Sequence, residues 1–163
     1  MNYDELQSQL GHKFKNIELL ELALTHKSFS SSNNNERLEF LGDAVLEIIT
    51  TEFLFNNYPD TPEGDLTNWR ASLVNSKMLA VVANEIGLEK CLYLSKGEAR
   101  DKNSKARTYI IANAVEAIIG AIYLDQGITA ATKFVSERML SKLDNILSNQ
   151  LYLDPKSKFQ EKA

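Results

Sequence analysis

The run Tyr109 to Leu124, broken only by Asn113 and Glu116, constrains this chain's fold most. A helix with no solvent face must be covered on all sides. A carboxylate near its centre then needs a cation, a proton or a metal beside it. A second segment, Glu36-Arg37-Leu38-Glu39-Phe40-Leu41-Gly42-Asp43-Ala44-Val45-Leu46, bears on the same point. At ~100° per residue, Glu36, Glu39 and Asp43 fall within about 60° of one another around a helix. Together the two segments suggest an acidic cluster gathered from two helices, the arrangement that holds a hard divalent cation.

Nearly every other apolar pattern also has helical period, and no alternating strand pattern extends beyond a few residues, so the expected class is all-α. Helices are predicted over 3–10, 17–24 and 36–55, the last after a serine- and asparagine-rich linker at 30–35 that supplies a turn and a cap. Leu38, Leu41, Val45, Ile48 and Ile49 should lie opposite the acids. A further helix is predicted from Thr61-Pro62, with Thr61 as cap and Pro62 in the first position, unbroken to Ile86 before Gly87. Residues 88–94 read as short and mixed, and 96–107 as a polar, mostly basic loop. Two last helices, 108–124 and 129–147, are separated by Asp125-Gln126-Gly127.

With 163 residues, 44% apolar and 25% charged, the chain reads as one globular domain. A net charge of −4 argues against a simple electrostatic nucleic-acid binder. It leaves room for an enzyme whose acidic site is neutralised by metal. Cys91 is the only cysteine, which rules out an internal disulfide framework and a cysteine-rich zinc site, and reads as a small buried hydrophobe. The first residues lack a signal-peptide pattern. The 109–124 run is short for a membrane span and carries Glu116, so the expectation is a cytoplasmic protein with no membrane contact.

Spacing alone leaves the acidic cluster open between two readings. Glu39 and Asp43, one turn apart, can share an ion that Glu116 completes. Equally, Glu36, Glu39, Asp43 and Glu47 can form a solvated face, with Glu116 in a buried salt bridge to Arg37 or Arg70. Gly42 is a separate anomaly: mid-helix glycine costs roughly 1 kcal/mol relative to alanine, so something should approach the backbone there closely. Phe40 lies away from the main apolar stripe and reads as an exposed aromatic or an anchor for another chain.

The segment Asn35 to Leu46 is similar to the signature of the ribonuclease III family. The resemblance extends through Ala23-Leu24-Thr25-His26-Lys27-Ser28, Glu63-Gly64-Asp65-Leu66, Lys96-Gly97-Glu98 and Glu116 to Asp125, over nearly the whole chain. It implies an all-helical endonuclease domain at 1–148 that acts as a homodimer. The implied activity is magnesium-dependent cleavage of both strands of double-stranded RNA, manganese substituting and no organic cofactor taking part, in processing ribosomal and other precursors. Products in this family carry 5′-phosphates and short 3′ overhangs. By the same resemblance Asp43 and Glu116 are catalytic, Glu39, Asp43, Asn113 and Glu116 surround the metal, and Glu36 and Glu63 are accessory acids. Phe40 matches the position that inserts into the partner subunit. For Glu63, a first-turn acid also suits the helix dipole, and for His26 a structural hydrogen bond is the favoured reading. Lys96, Arg100, Lys102, Lys105 and Arg107 are candidates for RNA backbone contacts.

One departure accompanies the resemblance. Asn113 stands where the family usually has aspartate, giving an amide oxygen without charge. A catalytically impaired or inactive duplex-RNA-binding protein is therefore the alternative reading. Residues 149–163, with Asp154-Pro155-Lys156-Ser157-Lys158-Phe159-Gln160-Glu161, resemble a linker and the truncated start of a double-stranded RNA-binding domain. A di-iron helical bundle also uses facing carboxylates, but it expects Glu-x-x-His pairs, which His12 and His26 do not form.

Overall fold

Side-chain caps close most of the helices in the computed structural model, which describes residues 2–149. Asn2 and Glu5 form a reciprocal capping box on α1 (Tyr3–Leu10), and Gly11 ends it at φ 64°. Asn16 caps α2 (Ile17–Leu24). The signature helix α3 (Glu36–Asn57) follows the polar linker. There Asn35 is buried: its Nδ2 donates to the Ala23 carbonyl at 3.0 Å and its N–H to that of Thr25 at 2.8 Å. The linker is thereby tied to α2. The only β-pairing among the described residues is an isolated bridge between Thr25 and Tyr93, so the chain is all-α as expected.

Four expectations need correction. The helix predicted from Thr61 to Ile86 is two helices, α4 (Glu63–Val74) and α5 (Ser76–Glu85). Asn75 separates them at ψ 161°, and its side chain accepts the Met78 N–H at 2.9 Å, capping the second helix at the first one's expense. Pro62, not Thr61, stands at the N-cap of α4, with no side-chain cap bond. The 96–107 stretch holds a short helix, α6 (Lys96–Arg100) capped by Ser95, and the start of α7 (Lys105–Arg138) capped by Ser104. The break expected at Asp125-Gln126-Gly127 is present, since Gly127 (φ 86°, ψ −175°) is not helical and divides α7 in two at a kink. The second part, expected to run to 147, instead ends at Arg138, and the chain past it forms a 3₁₀ turn and α8 (Leu143–Ser148).

Asp125 explains why the kink is held. Its buried carboxylate accepts the N–H groups of Lys15 and Asn16 at 3.0 and 2.9 Å, and pairs with His12 Nε2 at 3.1 Å. Burial alone would raise its pKa, but these bonds and one from Gln126 hold it at about 2. The segment between α1 and α2 is thus pinned to the bend.

α3, α5 and α2 pack on α7, α3 making the largest interface, and α4 packs chiefly on α3. By length and apolar composition alone, the stretch 105–148 would pass for a membrane-crossing helix, unlike the shorter run read from sequence. Its apolar surface from Ile111 to Ile122 is instead taken up by the core. On α3, Leu38, Val45, Leu46 and Ile49 are buried, whereas Ile48 is 56% exposed. Ile48 lies within about 80° of Phe40 and Phe55 around the helix, and all three face outward. Cys91 is half-buried against the core.

Gly42 and Gly120 mark the point where α3 and α7 cross. A Cβ on Gly42 would lie 1.7 Å from the Glu116 carbonyl oxygen, and one on Gly120 would lie 2.4 Å from that of Leu38. Only hydrogen fits at either position, which accounts for the mid-helix glycine. Gly42→Ala should therefore cost about 3 kcal/mol through forced helix separation and lower Tm by roughly 6–12 °C. Gly64→Ala, with nothing within 4 Å, should leave Tm unchanged or slightly higher; equal melting of the two variants would contradict the close crossing.

Candidate functional site

The crossing decides which acids meet. The Glu116 backbone oxygen sits against Gly42, so Glu116 comes level with the turn of α3 that carries Glu39 and Asp43. Asp43 is exposed, while Glu39, Asn113 and Glu116 are half-buried. Burial, then Asp43, Glu39 and Glu47, push the Glu116 carboxyl up to about 8. Glu39 is also raised, by burial and by Glu36 and Asp43, against the opposing charge of Lys27. Without a cation, Glu116 therefore keeps its proton at neutral pH.

The buried salt-bridge reading is not what the structure shows. Among the described residues Glu116 has no ion pair; Arg70 instead pairs with Glu47 at 3.1 Å and donates to Thr51 Oγ1 at 3.0 Å. Arg37 is exposed. Nor are the acids a closed cage: among the described residues no three Asp, Glu, His or Cys side chains enclose a metal position. Uncompensated carboxylates repel, and these face one another without converging. Their hard oxygen donors, with the Asn113 amide oxygen, match the chemistry of a hard divalent ion.

A cavity of about 190 Å³ adjoins the cluster, lined by His26, Lys27, Asn35, Glu36, Glu39 and Asn113. Lys27 Nζ pairs with Glu36 Oε1 at 3.0 Å on its rim. His26 Nδ1 bonds Ser28 Oγ at 2.8 Å, and that oxygen also accepts the Ser95 N–H, so the imidazole holds the loop together. Burial lowers the His26 pKa and keeps the ring neutral.

Glu63 does not join the cluster. It accepts a bond from Thr67 Oγ1 at 3.1 Å and lines a separate, mainly apolar pocket of about 230 Å³ with Thr51, Leu54, Phe55, Leu66 and Arg70. Phe40 is 82% exposed on the same helix as the acids. Of the basic candidates, Lys96, Arg100, Lys102 and Lys105 are exposed. Arg107 is the exception, and the expectation of an RNA contact fails there. It is 5% exposed, with Nε and one terminal nitrogen each 2.9 Å from Glu89 Oε1 and the other 3.1 Å from the Glu98 carbonyl. Its guanidinium clamps α6 to the 3₁₀ turn Leu88–Cys91 and is not free to meet a phosphate.

Three groups near the site escaped the sequence reading: Glu47 and Arg70 as a pair, and Gly120. Gly120 did have a signal, since it is a second glycine inside a helix. The Glu47–Arg70 pair had none, because the two residues belong to different helices.

Residues 16–143 match the family model described as ribonuclease-III-like. The chain is 46% identical to Ribonuclease 3 of Campylobacter fetus over 158 residues, covering 97% of this chain and 70% of that protein. It is 45% identical to Ribonuclease 3 of Acinetobacter baylyi, over 96% of this chain and 68% of that one. Among solved structures it is similar to the nuclease domain of ribonuclease III from Campylobacter jejuni. The TM-score is 0.76 at 41% identity, over 84% of this chain and 98% of that one.

The raised Glu116 pKa has a consequence for stability. An acid whose folded pKa exceeds its unfolded value costs stability as pH rises from 4.5 to about 8, because the unfolded state releases its proton first. In chelator, Glu116→Gln should therefore melt above the parent at high pH, with the gap closing as pH falls to the lower value. A gap that does not vary with pH would contradict the strain assigned to this carboxyl.

Proposed function

The chain belongs to the ribonuclease III family, and on that premise we propose that this endonuclease cleaves both strands of double-stranded RNA with magnesium. One observation supports this reading above the others: half-buried Glu116, without an ion pair among the described residues, faces Asp43 and Glu39 across a close helix crossing. Glu39, Asp43, Glu116 and the Asn113 amide oxygen would hold the ion. When bound, the ion would supply activation of water and neutralisation of charge at the scissile phosphate. Glu116 must give up its proton to take part, which couples metal affinity to pH. Asn113 supplies an oxygen without charge, and the three carboxylates suffice for activity in this reading. Products with 5′-phosphates and short 3′ overhangs, and precursor processing, follow from it.

The proposal includes a homodimer. Phe40 projects from α3, and the apolar pocket between Thr51, Leu54, Phe55 and Leu66 on α3 and α4 would receive the same phenylalanine from a second copy. The similar nuclease domain from Campylobacter jejuni has a structurally flexible region involved in dimer formation. Two copies would bring two acidic clusters to one duplex, one for each strand. Lys96, Arg100, Lys102 and Lys105 would meet the RNA backbone, whose contacts dominate recognition of A-form duplexes.

Cleavage of a long RNA duplex in magnesium tests the activity. Glu116→Gln should lower kcat by ~10³-fold or more, equivalent to about 4 kcal/mol, while duplex binding in a gel-shift assay stays within a small factor of the parent. Equal loss of binding and cleavage would argue against a ligand role. Phe40→Ala should weaken self-association by about 2 kcal/mol or more, as loss of a buried aromatic anchor does. Sedimentation at low concentration reads this directly, and an unchanged profile would remove Phe40 from the interface.

A further inference from the structure

A second concavity, about 570 Å³, lies among α1, α2 and the Thr25–Tyr93 bridge, and no residue of the acidic site lines it. Its walls combine two kinds of group. Tyr3, Phe29 and Tyr93 give it aromatic surface; Glu18 and Glu21 give it negative charge. Phe29 is 59% exposed, so the core does not account for it. Its ring lies 5.5 Å from that of Tyr93, centroid to centroid, and the Tyr93 hydroxyl is 2.6 Å from that of Tyr3. Burial, the Tyr93 hydroxyl and the Glu21 carboxylate raise the Tyr3 phenol above its ordinary pKa, so it stays protonated and neutral. Among the described residues, neither Glu18 nor Glu21 has a basic partner; the described ion pairs use other acids.

Charge selects the occupant. Two carboxylates without a basic partner repel a phosphate backbone, so this face does not suit RNA. They attract a cation, and flat aromatic faces beside them favour a planar, weakly hydrated one. A guanidinium stacks on a ring while its edge donates to a carboxylate; an ammonium does the second better than the first. We infer that this cleft is a docking site for an arginine side chain presented by a protein partner. The inference goes beyond the nuclease reading and does not depend on it.

The test is an amide-shift titration of the ¹⁵N-labelled full chain with three blocked tripeptides, Gly-Arg-Gly, Gly-Lys-Gly and the isosteric neutral Gly-citrulline-Gly. The arginine probe should give saturable shifts confined to residues 3, 16–33 and 93, the lysine probe weaker ones, and the citrulline probe none. Glu21→Gln and Phe29→Ala should each weaken the arginine response by about two- to fivefold. Both residues are exposed, so melting curves should match the parent, as should duplex-RNA cleavage. Equal shifts with citrulline, no saturation, or shifts centred on Glu39 and Asp43 would overturn the assignment. Slowed RNA cleavage by Phe29→Ala would do so too, because it would put the cleft in the path of the nucleic acid.

Discussion

Gly42 on α3 and Gly120 on α7 bring two helices together backbone to backbone, and the rest of the structure is arranged around that contact. A side chain at either glycine would collide with the other helix's carbonyl. At this separation the turn of α3 bearing Glu39 and Asp43 faces the turn of α7 bearing Glu116. The same contact fixes the rotation of α3. Leu38, Val45 and Ile49 go into the core, and Phe40, Ile48 and Phe55 are left outside. Core, acidic cluster and exposed aromatic face are therefore three consequences of one crossing.

Charge compensation then separates structural ions from those left available. Arg107 is satisfied by Glu89 and the Glu98 carbonyl, Arg70 by Glu47 and Thr51, and Asp125 by two backbone N–H groups and His12. Those groups hold segments together. Glu116 differs: it is half-buried, surrounded by like charges, and its pKa rises accordingly. A carboxylate in that position is destabilising until a cation arrives, which makes it the group around which a functional reading is built. Among the described residues Glu18 and Glu21 have no basic partner either, but they are more exposed, and their aromatic neighbours favour a different kind of cation.

Much of this was legible in advance because the signals are short-ranged. The boundaries of α1 and α2 follow from Asn caps and apolar spacing, and the start of α3 from its polar linker. The glycine at 42 announced a close approach without naming its partner. The split at Asn75 also had a local signal, an asparagine followed by serine, which the continuous apolar pattern of 66–86 overrode. Arg107 was misplaced for a physical reason. Its neighbours in sequence are polar and basic, but its environment is set by Glu89 and Glu98, brought to it by the fold.

The sequence alone determined the helical class, the acidic stripe on α3 and the unusual position of Glu116 in an apolar helix. These depend on residue type and a period of ~3.6 residues, which operate within a single element. The signature around Asn35 to Leu46 pointed to the family on the same local grounds. Only the tertiary structure decided that Glu116 meets Asp43 and Glu39 and not Arg70, that Glu63 lies apart, and that Arg107 is a clamp. Those outcomes depend on how closely two helices approach and at what rotation, and steric fit at Gly42 and Gly120 sets both.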